Sequence, residues 1–101
     1  VVRLDHAYDK HRFRTGSGLK LDMPPSDYFR RQVYLTFMKD KPGVDNRGHI
    51  GIDNIMWASD YPHSDSTWPH SREAIDSQFG DLPAAERKKM ICDNAKRLYR
   101  L

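Results

Sequence analysis

The chain has 101 residues, with 17 Lys and Arg against 14 Asp and Glu, which gives a formal charge of +3. The charges are interspersed without a basic block, so this balance by itself indicates neither nucleic acid nor a membrane as a partner. The single cysteine, Cys92, excludes an internal disulfide and a multi-cysteine zinc site. No apolar run approaches the roughly 20 residues of a membrane span, and no signal-peptide pattern is visible, so a cytoplasmic setting is expected.

The first segment predicts a helix. Residues 1–14 place Leu4 and Tyr8 on one helical face, and the glycine-containing segment 15–18 is expected to end the helix in a left-handed conformation. His6 and His11 lie five residues apart, whereas metal ligands on one helical face are usually three or four apart. We therefore assign these histidines no chemistry.

A loop and a strand are predicted next. Residues 19–25 are expected to form the loop because consecutive prolines disfavour helix there, and Ser26 is expected to be the N-cap of a short helical turn. Residues 32–38 alternate between a fully apolar and a mixed set, as in a strand with one buried face. Thr36 or the pair Lys39–Asp40 would lie near the carboxyl end of this strand and line the same mouth as Asp60, although the expected role of Asp40 is that of a turn residue before Pro42.

A second, more apolar strand leads to the strongest candidate for chemistry. A short helix is predicted between Asp45, as its cap, and Gly51, as its terminator. The continuous apolar run 55–58 then predicts a strand buried on both faces, which stops just before Asp60. In parallel α/β folds, ligands and metals bind at the carboxyl ends of strands, because the loops there form the concave face. The sequence around Asp60 is also typical of a turn, so a structural aspartate remains an alternative.

The remaining residues predict helices. Pro69 is expected to open one helix, since proline is favoured at the first helical position, with Ser66 or Thr67 as a near-cap. Another helix is expected after Pro83, and Asn94 is expected to cap a last helical turn.

Several segments of the chain resemble one known family. They are PSDYFRRQ from Pro25, GIDN from Gly51, NIMWASDYPH from Asn54, DSTWP from Asp65 and NAKRLY from Asn94. These segments are similar to the metal-dependent amidohydrolase superfamily, in the branch that contains aminocarboxymuconate semialdehyde decarboxylase. The resemblance implies an α/β fold: the C-terminal fragment of a (β/α)8 TIM barrel, with about two parallel strands and flanking helices. Such a barrel typically needs about 250 residues, so residues 1–101 are expected to be an incomplete domain.

The resemblance also implies a metal site. Asp60 would bind a divalent ion together with histidines of earlier strands, and it would accept the proton of metal-bound water. Zinc is the expected metal, with manganese or iron as alternatives, since a carboxylate oxygen suits these ions. His63 and Trp68 are weaker candidates: His63 for a hydrogen bond to substrate or Asp60, Trp68 as a pocket wall. A local partner for His63 and a packing role for Trp68 are the alternatives, and a zinc site that also includes His70 is not expected.

The implied function is that of a fragment of a metal-dependent hydrolase, which cleaves a C–N or C–O bond of a small-molecule substrate. The alternatives are a metal-dependent non-oxidative decarboxylase of the same fold and a non-catalytic association module. One carboxylate cannot hold a catalytic zinc ion, which uses three protein ligands, so the chain alone is expected to be inactive. Two adjacent strands leave unpaired edges, so a homo-oligomer is expected, and neither nucleic acid nor a membrane is an expected partner.

Overall fold

The structure is a computed structural model that describes residues 1–14, 18 and 20–101, apart from the side chain of Val2. These residues form two compact units, Val1–Val33 and Tyr34–Leu101. The expectation that residues 1–101 make up one incomplete domain stays a prediction. Among the described residues, no helix has both the length and the apolar character that crossing a bilayer requires.

The first unit contains two helices, α1 (Val2–His11) and α2 (Pro25–Gln32). A side chain of α1 caps the start of α2, because Asp5 Oδ1 accepts a hydrogen bond from the Ser26 backbone N–H at 2.8 Å. Hydrogen bonding from Ser26 lowers the pKa of the Asp5 carboxyl below its usual value, since it favours the charged form. The helix N-terminus is therefore satisfied by a carboxylate that is distant in sequence.

Two predictions for this unit are wrong. Ser26 lies inside α2 and is not its N-cap, because Pro25 takes the first helical position that its fixed φ favours. Helix α1 ends at His11, before the segment 15–18 that was expected to terminate it. Residues 15–17 of that segment lie outside the described residues. His6 and His11 are both exposed on α1.

The second unit is built on two parallel strands, β1 (Leu35–Phe37) and β2 (Ile55–Trp57). The first residue of β1 pairs with the first residue of β2, and the Ala58 N–H extends the ladder by donating to the Phe37 carbonyl at 2.9 Å. The predicted parallel pair is therefore confirmed. Strand β1 is shorter than predicted, because Gln32 still belongs to α2.

The hydrophobic core of this unit lies between the strands and the helices. The helices are α3 (Lys41–Asp45), α4 (Arg47–Ile50), α5 (Ser71–Phe79), α6 (Ala84–Lys88) and α7 (Asn94–Tyr99). Ile55 of β2 is buried in one cluster with Val44, Phe79 and Met90. The Phe79 ring lies 5.9 Å from the Phe37 ring, centroid to centroid. Burying a side chain of this size contributes about 1.5–3 kcal/mol, so these contacts hold α5 against both strands.

The connection from β1 to β2 differs from the prediction of one short helix. It contains both α3 and α4, and Asp40 caps α3 by accepting a hydrogen bond from the Gly43 N–H at 2.9 Å. Asp45 is the last residue of α3 and not a cap, because Pro42 fixes the backbone of an earlier first turn. Gly51 ends α4 as predicted, with a φ of 111° that favours glycine.

Asn94 was predicted to cap the last helical turn, and this prediction is wrong. The residue is buried inside a continuous helical segment. Helix α6 continues through the π-helical residues Lys89–Asp93 into α7, and Asn94 is 0% exposed. Its Nδ2 donates to the Ile52 carbonyl at 2.7 Å and to the Ile55 carbonyl at 2.8 Å. The buried amide therefore ties the C-terminal helical segment to the start of β2.

Asn94→Ala is expected to lower the free energy of unfolding by about 2–4 kcal/mol, because the buried Ile55 carbonyl and the half-buried Ile52 carbonyl lose their donor and each unpaired buried group costs about 1–3 kcal/mol. Asn46→Ala removes an exposed amide that donates to the Pro42 carbonyl, and it is expected to cost less than about 1 kcal/mol. Urea unfolding followed by circular dichroism, at one protein concentration, measures both costs. Equal costs for the two variants would contradict the role assigned to Asn94.

The isolated chain is expected to self-associate. In the part of the chain that the structure describes, β1 and β2 pair only with each other, which leaves each strand with an unpaired edge. Such edges pair readily with other chains, and Leu35 of β1 is 40% exposed. Size-exclusion chromatography with light scattering measures the oligomeric state. A monodisperse monomer that melts cooperatively would contradict the expectation.

Candidate active site

The carboxyl ends of β1 and β2 lie at the same edge of the sheet, since the two strands are parallel. A cavity of about 220 Å³ lies there, and its lining residues are Thr36, Phe37, Met38, Ala58 and Asp60. We call it the strand-end cavity. Asp60 follows β2 closely, and its side chain is 54% exposed. The predicted aspartate is therefore located at the carboxyl end of a parallel pair, in a loop and open to solvent.

Asp60 has a left-handed backbone conformation, with a φ of 59°. This conformation costs a non-glycine residue about 1–2 kcal/mol, and aspartate is one of the residues that tolerate it best. Hydrogen bonds hold the peptide groups on both sides. The Asp60 carbonyl accepts from the His63 N–H at 2.8 Å. The Ser59 carbonyl accepts from Ser66 Oγ at 2.8 Å and from the Thr67 N–H at 3.0 Å.

His63 lies beside Asp60 in the same loop. Its Nδ1 is 3.4 Å from Asp60 Oδ2, and it also accepts a hydrogen bond from the Asp65 N–H at 3.3 Å. A single ring nitrogen cannot accept from an amide and donate to a carboxylate at the same time, so the two contacts belong to different protonation states of the ring. The structure thus brings His63 to Asp60 and also gives it a local partner.

Trp68 lines a different cavity from Asp60. Its side chain is 65% exposed and packs edge-to-face on Tyr61, with the ring centroids 6.0 Å apart. It borders a cavity of about 410 Å³ together with Lys39 and His70. We call this the loop cavity. Trp68 is therefore a cavity wall, but the structure does not bring it into the strand-end cavity with Asp60.

The loop after Asp60 is longer than predicted, because α5 begins at Ser71 and not at Pro69. Ser66 does not cap the helix, since its hydroxyl donates to the Ser59 carbonyl. Thr67 does not cap the helix either: its hydroxyl lies 3.0 Å from Ser71 Oγ, and its N–H donates to the Ser59 carbonyl. Ser66 and Thr67, which precede Pro69, both donate hydrogen bonds to the Ser59 carbonyl at the end of β2. They are therefore not available to cap a helix at Pro69, and α5 begins later in the chain.

Gln78 of α5 fixes the end of β1, a role that was not predicted from the sequence. Its Nε2 donates to the Met38 carbonyl at 2.8 Å, and its Oε1 accepts from the Asp40 N–H at 2.7 Å. Trp57 Nε1 donates to the same Met38 carbonyl at 3.0 Å. Gln78 is only 6% exposed. One sequence feature could have indicated this role: a glutamine stands directly before Phe79, on the face of the predicted helix that packs on the strands.

The described residues alone do not fit a complete metal centre. In the ranges that the structure covers, no three His, Cys, Asp or Glu side chains come together. His70, for example, approaches Glu73, with 3.5 Å between Nδ1 and Oε2. A catalytic zinc ion uses three protein ligands and an open position. The exposed Asp60 carboxylate fits one ligand of such a centre, so the other ligands would have to come from outside these residues.

Comparisons with known proteins place this geometry in a family. The family model described as amidohydrolase matches residues 23–101. A comparison with curated proteins finds no match. Among solved structures, the chain is similar to 5-carboxyvanillate decarboxylase LigW from Sphingomonas paucimobilis, with a TM-score of 0.75 and 27% sequence identity over 99% of this chain. The chain spans 29% of the length of that structure. The parallel strand pair, its flanking helices and the family match over most of the sequence show that the chain belongs to the amidohydrolase family, whose members are generally metal-dependent.

Proposed function

We propose that this chain is the C-terminal part of a metal-dependent enzyme in which Asp60 is both a metal ligand and a proton acceptor. One observation supports the proposal most directly: Asp60 lines the cavity at the carboxyl end of the parallel strand pair. This end of the strands is where active sites of (β/α)8 barrels form. The family match gives the carboxylate its expected partner, a divalent metal ion.

The chemistry of Asp60 suits this role. A carboxylate oxygen is a good ligand for zinc, which is the expected metal, and also for manganese or iron. A bound divalent metal supplies Lewis acidity that lowers the pKa of water toward about 7. An ionised Asp60 beside it would accept a proton, which is general-base catalysis. His63 Nδ1, at 3.4 Å from Asp60 Oδ2, would orient the carboxylate when the ring is protonated at that atom.

Two reactions are candidates for the whole enzyme, and both act on a small molecule. Hydrolysis would add water across a C–N or C–O bond, as the family description suggests. Decarboxylation would release a carboxylate as CO₂ while the carbon that carried it takes up a proton. The similarity to 5-carboxyvanillate decarboxylase over 99% of this chain specifically favours decarboxylation. In either case Trp68 would act as a wall of the loop cavity, apart from the strand-end cavity that Asp60 lines.

Asp60→Asn in the complete enzyme is expected to lower kcat by about 100- to 10,000-fold, because the amide can neither accept the proton nor bind the metal as an anion. The parent enzyme is assayed with two sets of test substrates. The first set contains 5-carboxyvanillate and other aromatic carboxylic acids, and the second set contains amides and esters. Release of CO₂ from the first set identifies a decarboxylase, and release of an amine or alcohol from the second identifies a hydrolase.

Asp81→Asn is the matched control, since Asp81 is an exposed aspartate in the turn after α5. This variant is expected to keep the parent kcat. An Asp60→Asn enzyme that retains the parent activity would overturn the assignment of Asp60.

The 101-residue chain on its own is expected to bind no stoichiometric metal. The reason is that Asp60 supplies one ligand and the described residues gather no group of three. The chain is loaded with zinc, dialysed against metal-free buffer and examined by mass spectrometry for metal content. Roughly one tightly held ion per chain, lost in Asp60→Asn but not in Asp81→Asn, would show a complete site and contradict the expectation.

A further inference from the structure

The loop between β2 and α5 closes on a single backbone carbonyl. The Ser59 carbonyl accepts two hydrogen bonds, from Ser66 Oγ at 2.8 Å and from the Thr67 N–H at 3.0 Å. The same Ser66 Oγ accepts a hydrogen bond from the Trp68 N–H at 3.1 Å. The half-buried Ser66 hydroxyl therefore uses its proton and a lone pair together, and it joins the end of β2 to the far end of the loop.

The carbonyl that Ser66 binds belongs to the peptide group that leads into Asp60. Because a peptide group is planar, the Ser59 carbonyl oxygen and the Asp60 nitrogen move as one rigid unit. Two donors on that oxygen restrain the plane from which Asp60 continues. This restraint matters because the φ of Asp60 is 59°, a conformation that persists only where its surroundings hold it.

Only one of these two donors is a side chain. The Thr67 N–H belongs to the backbone, and any residue except proline at this position would supply it. The hydroxyl at position 66 is present only because that residue is a serine. The other peptide group of Asp60 is held by the backbone N–H of His63, which donates to the Asp60 carbonyl, and by a longer contact in which Ser59 Oγ accepts from the Tyr61 N–H at 3.4 Å. Ser66 is therefore the side chain that holds the peptide group on the amino side of Asp60.

We infer that Ser66 is a positioning residue for Asp60, whose hydroxyl holds the Ser59–Asp60 peptide so that the carboxylate meets a metal ion in one orientation. The inference rests on the proposed role of Asp60 as a metal ligand. Ser66 acts through the backbone, so its removal changes the geometry of the ligand and not its charge. Loss of a group that orients a metal ligand typically lowers metal affinity by about 10–100-fold.

The test measures the zinc affinity of the complete enzyme by competition with a chelator, without any substrate. Ser66→Ala is expected to weaken zinc binding by about 10–100-fold. Ser66→Thr keeps the hydroxyl and is expected to bind zinc as the parent does. Ser64→Ala removes an exposed hydroxyl from the same loop and is expected to change nothing. Ser66→Val, which has the shape of the threonine variant without its hydroxyl, replaces the alanine variant if circular dichroism shows that the latter is unfolded.

A double-mutant cycle separates positioning from a general structural role. With Asp60→Asn in place, Ser66→Ala is expected to change zinc affinity less than about twofold, because the hydroxyl acts only through the carboxylate. An equal loss in both backgrounds, or a Ser66→Ala affinity that matches that of Ser64→Ala, overturns the inference while the role of Asp60 stands. An unchanged zinc affinity in Asp60→Asn overturns the proposed role of Asp60 itself.

Discussion

The parallel pairing of β1 with β2 is the constraint on which the rest of the second unit depends. Parallel strands end at the same edge of a sheet, so the residues that leave β1 and β2 come together without any further arrangement. The core contacts of Phe79 and the buried amide of Asn94 stabilise this pair from the helical side. The position of Asp60 depends on this pair, because Asp60 follows Ala58, the last residue bonded across the ladder, by two positions.

Beyond the last ladder hydrogen bond, the backbone carbonyls that follow the strands need other hydrogen-bond donors. In each case one carbonyl accepts two hydrogen bonds. The Met38 carbonyl after β1 accepts from Trp57 and Gln78. The Ser59 carbonyl after β2 accepts from Ser66 and from a backbone N–H. A carbonyl oxygen has two lone pairs, and here both are used. The backbone on both sides of the strand-end cavity is therefore held by hydrogen bonds after the sheet itself has ended.

The sequence predicted β2 and the place of Asp60 well, because a continuous apolar run that stops at a polar turn is a local signal. It failed for Ser66 and Asn94, which were interpreted as helix caps, since polar residues near helix ends usually have that role. Their actual partners are backbone carbonyls just before β2, in β2 and after it, and Asn94 reaches a residue 39 positions away. The spacing of apolar residues along the chain predicts helices and strands, but it does not predict a hydrogen bond between residues so far apart. The start of β1 was also missed, because α2 continues through Gln32 and leaves only a short strand.

The candidate site separates into a local and a long-range part. Asp60, its restraining loop and His63 lie within ten residues of one another, so their geometry is set by short-range hydrogen bonds that need only the end of β2. A metal centre instead needs ligands from several strands, and the described residues gather no group of three. The backbone that carries Asp60 is therefore held by hydrogen bonds within its own loop, and a side chain on a backbone held in this way needs less reorganisation when it binds a partner.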